Sequence, residues 1–106
     1  MVYKYFLVKT LLMITMQLHI LVSGKVQGVC FRYNTKKVAE DFGIDGWIKN
    51  NSDGSVEALF EGSETKLLEI LNFVKKGPFG SRVEKVTESW KKDITEKEFE
   101  SFRITG

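Results

Sequence analysis

The chain has one cysteine, one histidine and one proline in 106 residues. A single cysteine excludes an intrachain disulfide, so a reducing compartment, the cytoplasm, is the expected location. One histidine and one cysteine cannot build a cluster of soft metal ligands. Charge of one sign is not in excess either. Sixteen basic and fourteen acidic residues leave a net charge of +2, too mild and too mixed to argue for a nucleic-acid partner. There is no repeat and no low-complexity stretch. A membrane span needs about 20 apolar residues. The longest apolar run, Tyr5 to Met16, is shorter and is interrupted by Lys9, so no membrane partner is expected. No small-x-small cleavage site follows that run, which argues against a secretory signal, since Ser23-Gly24 belongs to the next feature. Residues 1–16 are therefore set apart as an N-terminal extension: an over-long start with Met13 or Met16 as the true first residue, or an extra turn or strand. Residues 17–106 form one domain. Its 42% hydrophobic and 28% charged content is that of an ordinary globule, long enough for a core without staples.

Within that domain the periodicities are legible. Leu18, Ile20 and Val22 alternate with Gln17, His19 and Leu21 in a first strand. Phe31, Thr35, Val38, Ala39 and Phe42 fall at helical spacing, with Gly43 as a stop. Ile44 to Asn50 reads as a second strand, Asn51-Ser52-Asp53-Gly54 as a turn, and Val56, Ala58 and Phe60 as a third strand ended by Gly62. Leu67, Ile70, Leu71 and Val74 mark a second helix, closed by Gly77-Pro78. Val83 to Trp90 makes a fourth strand and Phe99 to Thr105 a short last one. The charged run from Glu84 to Glu100 is read as an exposed edge and its connection. The order βαββαβ, with an extra terminal strand, predicts an α+β ferredoxin-like sandwich: an antiparallel sheet with two helices on one face.

Between the first strand and the first helix stands Gly24-Lys25-Val26-Gln27-Gly28-Val29-Cys30-Phe31-Arg32. A two-glycine loop of this kind turns several backbone N–H groups into one concavity. The emerging helix adds the positive end of its dipole, and Arg32 adds a planar charged fork. The product is an oxyanion receptor, with Lys25, Val26, Gln27, Gly28, Val29, Cys30 and Phe31 as the phosphate-binding loop. The topology then brings in a second group. Strands one and two, joined through a helix, run parallel with the third between them, so their C-terminal ends share one edge of the sheet. Ile44, Gly46, Ile48 and Asn50 share one face of the second strand, the helix-covered one, so Asn50 projects toward the start of the first helix. Arginine binds and neutralises rather than acting as a base. An asparagine amide accepts a hydrogen bond from water and donates one to an oxygen, fixing a water in line with phosphorus. Phosphoryl transfer asks for little beyond such positioning and charge stabilisation. A phosphoanhydride has a good leaving group, and its own phosphate oxygen can take the proton. No carboxylates with convincing magnesium spacing lie near the loop, so no metal or other cofactor is expected.

At these residues the chain resembles the acylphosphatases. Their first signature stands here as Gly24, Val26, Gln27, Gly28, Val29, Phe31 and Arg32, and their second as Gly46, Trp47, Ile48, Lys49, Asn50, Gly54, Val56 and Gly62. The resemblance extends through Gly77-Pro78 and Phe102-Arg103-Ile104. It implies a small cytosolic enzyme, expected to be a monomer, that hydrolyses acyl phosphates to a carboxylate and inorganic phosphate without metal or cofactor. It also implies that Arg32 binds the phosphate and Asn50 orients the water. Three departures stand out: Ile48 is bulkier than usual, Cys30 replaces a more typical glycine or aromatic, and the N-terminal extension is unusual.

Each feature has a plainer counterpart. A glycine pair before a helix is often only a tight turn, Arg32 alone suits a salt bridge at a sheet edge, and Asn50-Asn51 suits turn chemistry. Lys25 suits a solvated surface as well as an anion-steering role, and Cys30 a small loop hydrophobe rather than a nucleophile. His19 is given no role, and Trp47 and Trp90 are read as sheet packing. The competing function is a non-catalytic anion- or RNA-binding module on the same fold. An RNA platform wants aromatics and a basic patch on the open face, where Glu57 and Glu61 argue against it. A carbamoyl-phosphate site of the kind fused to larger maturation enzymes is a third option, which a chain with no further domains does not favour.

Overall fold

The computed structural model describes residues 14–106. The part of the N-terminal extension comprising residues 1–13 lies outside the described residues. The elements in chain order are β1 (Met16–Lys25), α1 (Phe31–Asp41), β2 (Asp45–Asn50), β3 (Val56–Gly62), α2 (Glu64–Lys76), β4 (Arg82–Lys91) and β5 (Phe102–Thr105). They form one five-stranded sheet in the order β4-β1-β3-β2-β5. Both β1 and β2 run antiparallel to β3, which lies between them. They are therefore parallel to each other, as the split βαβ pattern predicts.

Alternation decides which side of the sheet is covered. Leu18, Ile20 and Val22 of β1, Ile48 of β2, and Val56, Ala58 and Phe60 of β3 are fully buried. Against them pack Phe31 and Ala39 of α1 and Leu67, Ile70, Leu71 and Val74 of α2, one stripe per helix. Phe60 stacks on Phe102 of β5 with ring centroids 5.5 Å apart. Each of the buried valine, leucine, isoleucine and phenylalanine side chains contributes roughly 1.5–3 kcal/mol relative to exposure. Thr35 is also buried, and its hydroxyl donates to the Phe31 carbonyl at 2.8 Å.

Two details differ from the sequence reading. The antiparallel pattern holds for the four strands β4, β1, β3 and β2, but β5 pairs parallel to β2, which makes the sheet mixed. The cause is the connection 92–101, which leaves β4 at one edge and arrives at the opposite edge beside the start of β2, where the Gly46 N–H donates to the Ser101 carbonyl. The last strand also starts later than expected, at Phe102 rather than Phe99. The backbone N–H groups of Glu98 and Phe99 are held by the Glu61 carboxylate, at 3.0 and 3.1 Å, and not by a neighbouring strand.

Candidate active site

β1 does not end at Gly24. It continues through Gly24 and Lys25, which pair with Val83 and Arg82 after a register shift at Ser23. Gly24 has φ +124°, and a Cβ there would stand 2.1 Å from the Arg82 carbonyl oxygen. Only glycine fits that close approach. The loop proper is thus the five residues from Val26 to Cys30, and its path is fixed by three devices.

Val26 drops its side chain into the core, with 1% exposed. Gln27 then reaches across to the β2–β3 turn, its Nε2 donating to the carbonyls of Asn51 and Ser55, both at 2.9 Å. That turn is braced in its own right. The Asn51 amide donates to the Ser55 hydroxyl, and the Ser55 hydroxyl and N–H both donate to Asp53, holding its carboxyl below the ordinary carboxylate value. Finally Gly28 (φ +73°) and Cys30 (φ +59°) take left-handed backbone conformations that turn the chain into α1. A Cβ at Gly28 would meet no protein atom within 4 Å, so the backbone angle rather than internal crowding calls for glycine there.

The start of α1 is electrostatically uncompensated. The first N–H groups of a helix have no partner within it, and Cys30 at the N-cap makes no side-chain cap. No acid lies in the first turn of α1, whereas α2 has Glu64 in its first turn and Lys75 and Lys76 in its last. Arg32, in the first turn of α1, adds a positive charge to an already positive helix end. Such an arrangement is unfavourable by itself and favourable once an anion sits there.

A cavity of about 380 Å³ opens at this point. Val26, Gln27, Gly28, Cys30 and Phe31 of the predicted loop line it, with Arg32 and Asn50. Asn50 arrives at the end of β2 on the same face as buried Ile48. Its Oδ1 is buried and accepts no hydrogen bond, the one such side-chain atom among the described residues. A buried acceptor without a donor is costly unless a ligand or water supplies one. Two members of the predicted loop do not line the cavity: Lys25 is exposed, and Val29 packs against the core. Two residues that sequence reasoning missed do line it, Tyr33 of α1 and Ile104 of β5. Cys30 is exposed and lies in the wall. No group of three or more potential metal-ligating side chains occurs among the described residues.

The open face of the sheet carries different chemistry. His19 Nε2 lies 2.6 Å from the Glu57 carboxylate, and this contact holds the Glu57 carboxyl below its ordinary value. Lys49 stands 5.6 Å from the centre of the Trp47 ring, and His19 meets the same ring edge-on. Glu61 follows the alternation of Glu57 and Leu59 but is fully buried, under the connection 92–101. The exposed glutamate at position 61 that the sequence reading weighed against RNA is therefore not at the surface. The connection itself covers that part of the face, where a second cavity is lined by Trp47, Lys97, Phe99 and Arg103. Trp90 packs against the core cluster.

Comparison with known proteins bears on family and fold. The family model described as Acylphosphatase matches residues 18–104. An acylphosphatase of Pyrobaculum islandicum is 42% identical over 87 residues, covering 81% of this chain and 90% of the relative. The crystal structure of acylphosphatase from Bacillus subtilis superposes with a TM-score of 0.80 at 35% identity, covering 86% of this chain and 99% of that one. Full-length HypF, solved in a phosphate- and nucleotide-bound form, superposes with a TM-score of 0.74 at 26% identity. There the match covers 87% of this chain but only 12% of HypF.

Proposed function

This chain belongs to the acylphosphatase family, an enzyme family acting on small acyl phosphates, and from that premise we propose how its own residues carry the reaction. The phosphoryl group rests against the N–H groups of Gly28 to Phe31 and the Arg32 guanidinium. Asn50 Oδ1 accepts a hydrogen bond from a water and points that water's oxygen at phosphorus. The water oxygen forms the new P–O bond as the bond from phosphorus to the acyl oxygen breaks. The carboxylate leaves with the electron pair, and the water's proton passes to a phosphate oxygen of the substrate. Arg32 and the helix start offset the charge that gathers on the equatorial oxygens, so positioning and electrostatics account for the rate.

The observation that carries this reading is the unpartnered, buried Oδ1 of Asn50 in the same cavity as Arg32 and the loop. Arg32 supplies the positive charge that a metal would otherwise bring, so turnover is expected to survive a chelator. A monomer in the cytoplasm suits the reading, since the loop, Arg32 and Asn50 line one cavity within a single fold and a single cysteine cannot form an intrachain disulfide.

The test is steady-state hydrolysis of acetyl phosphate. Asn50→Ala should lower kcat by roughly 10²–10³ with KM little moved, the usual cost of losing one transition-state contact. Arg32→Ala should raise KM and lower kcat, reducing kcat/KM by about 10³ or more. Full activity in a folded Asn50→Ala protein would remove Asn50 from the mechanism.

A further inference from the structure

An acyl phosphate is half anion and half acyl group, and the proposed site accounts only for the anion. The acyl half leaves in line with the attacking water, hence away from the cavity floor where Asn50 lies and toward the rim. Two large side chains with apolar bodies stand on that rim. Tyr33 is 64% exposed and Ile104 is 41% exposed, and both line the cavity that holds Arg32 and Asn50. Their placement follows from the fold. Tyr33 succeeds Arg32 in the first turn of α1. Ile104 has the same parity on β5 as buried Phe102, and so faces the helix side of the sheet. It lies past the cover of the helices, opposite Ile48 and one strand outward from Asn50.

Neither side chain makes a side-chain hydrogen bond or an aromatic pair among the described residues. Besides Arg32, no charged side chain among the described residues lines the cavity. A second anionic group on the substrate therefore has no dedicated partner beyond the phosphate cradle, whereas a flat apolar body has two surfaces to rest on.

Resting on the reading of the phosphate site above, we infer that Tyr33 and Ile104 form a leaving-group rim that selects acyl phosphates with an aryl or branched-alkyl acyl group. The two residues are specificity-determining and bring no chemistry of their own.

The test compares kcat/KM for benzoyl phosphate and acetyl phosphate in the wild type and in Tyr33→Ala, Ile104→Ser, Tyr33→Phe and Ile104→Leu, with circular dichroism confirming the fold. The wild type should favour benzoyl phosphate. Each of Tyr33→Ala and Ile104→Ser should cut the benzoyl-to-acetyl ratio by about tenfold, the scale of losing one apolar contact in a pocket. Tyr33→Phe and Ile104→Leu, which keep the apolar surface, should retain the wild-type ratio. Leu68→Ser, which removes an exposed apolar side chain from a different cavity, should also retain it. An unchanged ratio in both truncated variants would overturn the inference while leaving the phosphate site standing. Turnover of neither substrate by the folded wild type would overturn both.

Discussion

Cys30 shows how closely residue identity is tied to backbone shape at this site. It sits at φ +59° and ψ +25°, a conformation that costs an L-residue roughly 1–2 kcal/mol and glycine almost nothing. Glycine in turn gives the unfolded chain more freedom, an offset of about 0.4–1 kcal/mol. Cys30→Gly should therefore stabilise the protein by about 0.5–1 kcal/mol, seen as a higher midpoint in thermal or denaturant unfolding. Gln27 is the other telling residue. It reads in the sequence as part of the phosphate loop, and the structure gives its side chain a bracing role, tied to two carbonyls of the turn that follows Asn50. Gln27→Ala should lower kcat by loosening Asn50 while Gln27→Glu, which cannot donate to either carbonyl when ionised, should not restore it. Arg32 and Asn50 were legible because loop composition and strand parity are enough to place them. Tyr33 and Ile104 were not, because an exposed tyrosine and an exposed isoleucine carry no pattern until the cavity between them is seen.

Among the elements, the strands and helices with one buried face were legible from alternation and from the i, i+4 stripe of Phe31, Thr35 and Ala39. The charged run to Glu100 reads as an exposed edge and its connection, but nothing in its sequence shows that the connection 92–101, a stretch without periodicity, is held by tertiary contacts. Its anchor is Glu61, whose carboxylate accepts from Gln17 Nε2 and from the N–H groups of Glu98 and Phe99. Alternation alone puts Glu61 on a solvated face, since its cover comes from residues 37 and 38 positions further along the chain, which a local pattern cannot register. Glu61→Ala should destabilise the protein by about 3 kcal/mol, leaving several donors without their charged acceptor. Hydrogen exchange should locate the damage: the amides of Glu98 and Phe99 should lose protection first. Gly24 makes the same point for β1. Its alanine variant would drive a methyl group into the Arg82 carbonyl, so the β1–β4 pairing beside the loop must shift.

At the scale of the whole molecule, the ion pairs among the described residues are scattered rather than clustered. His19 with Glu57, Lys75 with Glu88 and Lys97 with Asp45 lie apart from the phosphate cavity. Glu57 and Glu88 are both held below their ordinary value of 4.5 by these partners. A lowered folded-state value means stability that is fully present above pH 4.5 and is lost as pH falls through the lowered values. Lys97, raised above 10.5 by Asp45, contributes in the opposite sense, with stability lost as pH rises through its raised value. The melting temperature should thus fall on the acid side, less steeply in Glu57→Gln than in the wild type. The proposed roles of Arg32, the loop and Asn50 all depend on where the water attacks. Hydrolysis of acetyl phosphate in ¹⁸O-labelled water settles it by mass spectrometry of the products. Attack at phosphorus, which the cradle and Asn50 are placed to direct, puts the label in inorganic phosphate and leaves the acetate unlabelled. Label in the acetate would mean attack at the acyl carbon, and would contradict the assignment of Arg32, the loop and Asn50 to phosphoryl transfer.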